Sequence, residues 1–315
     1  MEKKELLFLI NDRIQKIRQI ATDYNILENG YIAFSGGKDS TVLSDLVDRA
    51  LPGNKIPRIY SNTGLDYLEI QKFVRQLATE DERFFIIRPK KDIKKTLTEY
   101  GYPFKSKFHS HICDIYSRQG KTGCVLKYAE PKANTPHSCP KVLQDMFNKP
   151  LPFKISEKCC YKFKKEPFAL YEKESGRHIG LTGMRRAEKG LREQLKCLVF
   201  DGDKLHRFHP LAPMDDDFIE SYINHFQIRL CVLYYAPYSF KRTGCSLCSY
   251  STRLQEEMDI LTKLLPNERK KAEYIFAPVF AEYRKRGYRL RKFEEADKEF
   301  VPQEWWEKSI SSETI

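Results

Sequence analysis

Between Glu5 and Thr22 the apolar residues fall at Leu6, Leu7, Ile10, Ile14, Ile17 and Ile20. This helical spacing predicts an amphipathic opening helix. Gly30-Tyr31-Ile32-Ala33-Phe34 follows, a short apolar run that reads as a buried strand. From about Ser40 to Ala50 the spacing is helical again, with Val42, Leu43, Leu46 and Val47 apolar. The alternation repeats: a strand over 57–62, a helix over 66–78, a strand over 83–88, a helix over 92–100 and a further strand over 178–182. Strands alternating with helices predict an α/β fold, a mostly parallel sheet with helices on both faces.

Residues 101–158 break the pattern. They are rich in Lys, Ser, His and Pro and show little periodicity, so they read as an insertion: a lid, a partner surface or a long surface excursion. Helix-like spacing returns from about residue 250 to 292, now strongly basic, and a tail from Glu295 carries Trp305 and Trp306 as candidate anchors. The expected organisation is an α/β domain over 1–235, interrupted by the insertion, and a helical C-terminal region over 236–315.

Charge changes the picture. Lys and Arg number 55 against 43 Asp and Glu, a net charge of +12. This suits a polyanionic partner, either nucleic acid or a phosphorylated substrate, or simply a soluble basic surface. No apolar stretch is long enough to span a membrane and the N-terminus does not read as a secretory signal, so a cytoplasmic protein is expected. Nine cysteines, an odd number in such a chain, argue against a disulfide framework and leave buried apolar residues, metal ligands or nucleophiles.

The strongest chemical signal is Ser35-Gly36-Gly37-Lys38-Asp39-Ser40, set between a strand and a helix. Two glycines let the backbone approach an anion, and successive N–H groups and the helix N-terminus favour negative charge there. Lys38 adds a point charge, Ser35 and Ser40 add hydroxyls, and Asp39 orients the loop or holds Mg²⁺. The bland alternative is an ordinary Gly-Gly turn. Arg185, Arg186 and Arg192 follow a predicted strand. They offer planar recognition of phosphate or sulfate, or else form a solvated charged face.

The loop string resembles the PP-loop signature of the phosphoadenosine phosphosulfate (PAPS) reductase family and related ATP pyrophosphatases. Asn62-Thr63-Gly64-Leu65-Asp66 resembles the family's Asp-Thr-Gly element, with Asn62 where Asp is usual. Gly183-Met184-Arg185-Arg186-Ala187-Glu188-Lys189-Gly190-Leu191-Arg192 resembles its Gly-x-Arg-Arg-x-Glu-Ser-x-x-Arg element, with Lys189 for Ser. His209-Pro210-Leu211, Asp216-Asp217-Phe218-Ile219 and Tyr222-Ile223 resemble its later segments. The resemblance implies a Rossmann-like PP-loop fold that binds an adenine nucleotide at Ser35 to Ser40, Asn62, Thr63, Gly64, Gly183 and Arg192. Lys38, Asp39, Arg185 and Arg186 are then the expected catalytic residues.

Cys159-Cys160 and, about eighty residues later, Cys245-Ser246-Leu247-Cys248 are a four-thiolate set for zinc or an iron–sulfur cluster. The pattern resembles the 4Fe-4S signature of assimilatory APS reductases, which favours the cluster and keeps Zn as the alternative. Lys158, Lys162, Lys164, Lys165, Lys241 and Arg242 flank the set. Cys113, Cys124 and Cys139 lie in the insertion with His109, His111 and His137, a conceivable second metal site.

Sulfonucleotide reductases carry a nucleophilic tail cysteine, but no cysteine follows Cys248 here. The favoured expectation is an ATP pyrophosphatase that binds ATP with Mg²⁺ and adenylates an acceptor for sulfur insertion. It is similar to the cluster-bearing ATP-pyrophosphatase subunit of DNA phosphorothioation systems. DNA or tRNA is the acceptor class that the charge suits, as does the run Arg284 to Lys292 with Tyr283 and Tyr288. A cysteine desulfurase or another sulfur donor would be a partner. A PAPS or APS reductase using another thiol, and a non-catalytic nucleotide-binding cluster protein, are the alternatives.

Overall fold

The structure is a computed structural model and describes residues 1–131, 138–188 and 190–292. Along the chain run α1 (Lys3–Asp23), α2 (Ile26–Asn29), β1 (Gly30–Phe34), α3 (Lys38–Ala50), β2 (Arg58–Ser61), α4 (Leu68–Glu80) and β3 (Phe84–Ile87). Then come α5 (Ile93–Tyr100), α6 (Lys107–Gln119), α7 (Gly123–Ala129), α8 (Glu166–Ser175), β4 (Ile179–Leu181), β5 (Leu198–Asp201) and β6 (Lys204–Phe208). The described chain ends with α9 (Asp216–Phe226), α10 (Leu254–Leu264), α11 (Pro266–Ile275) and α12 (Ala277–Arg286). None of the described helices is long and apolar enough to cross a membrane. The elements form two compact units, one of residues 1–62, 66–88 and 166–244, the other of 63–65, 89–165 and 245–315.

The first unit is built on a six-stranded sheet in the order β3-β2-β1-β4-β6-β5. Every neighbouring pair is parallel except β5 with β6. Alternation along β1 sends successive side chains to opposite faces. Ile32 joins a buried cluster with Val42, Leu43 and Leu46 of α3, Ile17 of α1 and Phe218 of α9. Tyr31 points the other way, stacking on Phe168 and meeting Tyr171 edge-on from α8. The sheet is therefore covered on both faces, as the alternation of elements predicts.

A charged side chain lies deep inside this unit. Arg58 on β2 is fully buried. It is matched by Asp48, the Ser44 hydroxyl and Asn54 Oδ1. Asp48 and Asp81 also hold Arg83. A buried guanidinium survives only when so paired.

The chain leaves β1 for β2 and β3 on one side, then returns to place β4 on β1's other side. This reversal is the switch point at which parallel α/β sheets bind ligands, beyond the C-terminal strand ends. The loops after β1 and β4 are Ser35–Gly37 and Thr182–Arg185.

In the second unit, residues 101–158, whose sequence shows little periodicity, contain two helices and a 3-10 segment over Lys141–Phe147. Helix α6 starts on the Ser106 side chain, which accepts from His109 N–H. Its buried face is His109, Ser110, Ile112, Cys113 and Asp114. A face built of small and polar residues leaves no hydrophobic period to read. The basic run also enters this interior. Tyr283 is buried, donating to Ser249 O and accepting from Lys105 N–H. Arg284 pairs with buried Glu273, Arg286 with Asp145 and Arg291 with Asp259. Trp305 and Trp306 lie outside the described residues.

Candidate functional site

The first unit brings the phosphate-loop string and the arginine segment together. Gly36 takes φ +72°, and a Cβ there would stand 2.8 Å from Ile70 on α4, so the sharp exit from β1 requires glycine. Hydroxyl contacts fix the loop. Ser35 Oγ and Ser40 Oγ are 3.0 Å apart. Gly37 N–H donates to Ser35 Oγ at 3.3 Å, and Ser40 Oγ donates to Gly37 O at 2.9 Å. Helix α3 begins at Lys38 with no side-chain cap. Gly183, in the loop after β4, lies against this turn: a Cβ there would fall 2.8 Å from Asp39 O and 3.1 Å from Ser40 N.

Arg185 is buried and spans two carboxylates, its Nε donating to Asp39 Oδ1 at 2.6 Å and its Nη2 to Asp216 Oδ1 at 2.6 Å. Burial works against its charge, but Asp216 and Asp39 more than offset it and hold its pKa above the ordinary value. Asp216 is correspondingly held below the usual carboxylate range by Arg185. Asp39 thus orients the loop through Arg185. Arg186 is exposed, its Nε bonded to Leu195 O at 2.9 Å. Arg192 pairs with Glu188, which also pairs with Arg242.

Lys38, Asp39, Arg185, Asp216, Lys241 and Arg242 are among the residues lining a cleft of about 660 Å³, and Arg186 and Arg192 are not. Lys38 Nζ is 4.0 Å from Glu220. Tyr234 also lines the cleft; its hydroxyl accepts from Lys38 N–H at 3.0 Å and lies 2.9 Å from Thr243 Oγ1. Sequence reasoning missed Tyr234, Thr243 and Glu220. Tyr234 stands in an aromatic run and carries no motif signal.

The Asn62-Thr63-Gly64 element divides between the units. Asn62 follows β2 in the first unit, donating from its backbone to Ile87 O at 2.9 Å and from Nδ2 to Gln71 at 3.3 Å. Thr63 and Gly64 belong to the second, where Thr63 Oγ1 accepts from Leu65 N–H at 3.0 Å and Gly64 has φ +74°.

All four motif cysteines fall in the second unit. Cys159 and Cys160 immediately precede a π-helical turn over Tyr161–Lys165, a rare geometry frequent at functional positions. The Cys245–Cys248 turn is tied by Ser246 N–H donating to Leu65 O at 2.7 Å. Cys159 is buried, and the thiols feel one another. Burial, then Cys245, Cys160 and Cys248, push Cys159 well above an ordinary thiol; burial, then Cys245, push Cys248 up to about 12. Lys164 acts in the opposite direction on both. Thiols are the donor type that a 4Fe-4S cluster or zinc takes, and binding would remove their protons. Among the described residues, no group of three or more His, Cys, Asp and Glu side chains stands at metal-ligand geometry. In the insertion, His109 is buried with Nδ1 on the Tyr128 hydroxyl at 2.8 Å, while His137 lies outside the described residues.

A glycine-bearing turn after β1, apposed to a second loop at the switch point of a parallel sheet, defines a PP-loop, Rossmann-like α/β protein. The PAPS reductase domain model matches residues 29–251, and the chain belongs to that family. No curated protein matches the sequence. Among solved structures it is similar to PAPS reductase from Candida auris in a phosphate complex, with 16% identity, TM-score 0.41, and 78% of this chain and 96% of that one covered. It is similar to FMN adenylyltransferase from Candida glabrata, with 14% identity, TM-score 0.46, and coverage of 78% and 64%. It is also similar to the U34-tRNA thiolase NcsA from Methanococcus maripaludis with its [4Fe-4S] cluster, with 15% identity, TM-score 0.37, and coverage of 89% and 79%.

Proposed function

We propose that this family member is an ATP pyrophosphatase that activates an acceptor for sulfur insertion, and that Ser35 to Ser40 hold the phosphates. The observation that carries the reading is the Ser35–Ser40 turn locked against Gly183 at the sheet's switch point, with Lys38 in the adjoining cleft. An acceptor oxygen attacks the α-phosphorus of ATP, the bond to the β,γ-diphosphate breaks, and pyrophosphate leaves. A sulfur nucleophile then forms a carbon–sulfur or phosphorus–sulfur bond as AMP departs with the acceptor oxygen. Lys38 and the α3 N-terminus stabilise the leaving pyrophosphate. Arg185, fixed by Asp39 and Asp216, keeps the loop in register, and Mg²⁺ arrives with the nucleotide. Arg186, Arg192 and Asn62 complete the proposed nucleotide set within the first unit.

Cys159, Cys160, Cys245 and Cys248 would hold a 4Fe-4S cluster, which when bound supplies redox or sulfur-ligating chemistry. Sulfur transfer then takes a donor such as a cysteine desulfurase, and the +12 charge suits DNA or tRNA as acceptor.

The sulfonucleotide-reductase alternative would take a thiol from the insertion or from outside the chain, and two of the three insertion cysteines do not suit that role. Burial pushes the Cys113 thiol up and that of Cys139 up to about 11, opposite to an activated nucleophile.

Pyrophosphate release from ATP is the test. It is expected in the wild type and to fall at least about a hundredfold in Lys38→Ala and Asp39→Ala, the scale of losing one electrostatic stabiliser. Thiol-dependent sulfite release from PAPS or APS, with no pyrophosphate from ATP, overturns the reading.

A further inference from the structure

The phosphate loop has an internal occupant. The first amide of α3, Lys38 N–H, is the group a helix N-terminus offers to an anion. Here it donates to the Tyr234 hydroxyl at 3.0 Å. Gly37 explains how the phenol comes so close: a Cβ on Gly37 would lie 3.3 Å from Tyr234 Oη and 3.2 Å from Thr243 Oγ1. The space that the missing side chain opens beside the loop, which suits a phosphate oxygen, is taken by two hydroxyls of the same chain. These hydroxyls are 2.9 Å from each other, so each holds the other in place.

From this we infer that Tyr234 is a specificity-determining stand-in for a phosphate oxygen, occupying the Lys38 amide when the loop is empty and competing with the ligand for it. The inference rests on the phosphate-loop reading above. A phenol is neutral and makes a weaker bond to an amide than a phosphate dianion does. A polyphosphate therefore displaces it, whereas a weaker anion does not. The same competition returns the hydroxyl to the amide as pyrophosphate leaves, which favours product release.

The competition makes a prediction whose sign is unusual for deleting a polar group in a binding site. Calorimetric titration of the full-length chain with inorganic pyrophosphate should show Tyr234→Phe binding about twofold to tenfold more tightly than wild type, the range of one neutral hydrogen bond. Thr243→Val, which removes only the partner that steadies the phenol, should tighten binding by a smaller factor and serves if Tyr234→Phe does not fold. Weaker binding in Tyr234→Phe would make the phenol a donor to the ligand, and unchanged binding would make it a fixed strut; either result overturns the inference alone. If neither wild type nor variants bind pyrophosphate or ATP while their thermal unfolding remains cooperative, the phosphate-loop reading fails and this inference with it.

Discussion

Gly183 shows how one missing side chain can join two loops. Its Cα faces the backbone of Asp39 and Ser40, and a Cβ would sit 2.8 Å from a carbonyl oxygen and 2.9 Å from its carbon. Backbone atoms cannot swing aside as a side-chain tip can, so Gly183→Ala must push the two loops apart. We expect a loss of about 1–3 kcal/mol, the scale of overpacking, measured by urea denaturation. ATP affinity should fall with it, because the loop moves. The sequence marks this glycine as part of a motif, but not as the contact between loops some 140 positions apart in the chain. Arg185 is the converse case. Its type and position suggest a clamp on ligand oxygens, yet its guanidinium is bound by Asp39 and Asp216. Residue identity alone does not distinguish an arginine that binds a ligand from one that positions the loop that does.

At the scale of elements, the parallel half of the sheet was legible because each buried strand is a short apolar run bounded by helical spacing. The β5–β6 hairpin was not, since Lys204-Leu205-His206-Arg207-Phe208 is half polar and its burial comes from neighbours. Helix α6 stayed hidden for a related reason, its buried face being polar and small. The hairpin's attachment can be tested by pH. Just beyond β6, His209 is buried, with Nδ1 2.7 Å from the Thr182 hydroxyl at the end of β4. Burial, then Arg207 and Arg192, lower its pKa to about 4. An unfolded histidine takes up its proton near pH 6.5. Between there and about pH 4 the unfolded chain therefore holds a proton that the folded chain lacks. Stability should fall as the pH drops through this window, by roughly 3 kcal/mol at most from His209. His109, lowered to about 3 chiefly by burial, adds to the slope with the same sign. His209→Asn should flatten it partly; an unchanged slope in urea melts taken from pH 7 to 4 would show that His209 is protonated in the folded state.

At the scale of the molecule, the cysteine pattern joins segments that are remote in sequence, and the second unit collects all four: Cys159 and Cys160 at the end of one segment, Cys245 and Cys248 at the start of another. The pair and the Cys-x-x-Cys were legible as a ligand set. Their placement in a unit separate from the phosphate-loop residues was not, because 63–65 and 89–165 leave the α/β unit in mid-chain. A group bound to thiolates from both segments would act as a cross-link, and binding only the folded form would add its affinity to stability. Anaerobically purified protein should be brown and contain iron and acid-labile sulfide, and chelation or oxidation should bleach it and lower its unfolding temperature by several degrees. Cys159→Ser and Cys248→Ser should each lose the visible absorbance, while Cys231→Ser, buried in the other unit, should keep it. Colourless protein with stoichiometric zinc would replace the cluster by the alternative metal at the same four thiolates. Metal-free protein whose melting is indifferent to chelators would leave these cysteines as thiols without a bound group, and the sulfur chemistry would have to reside in a partner.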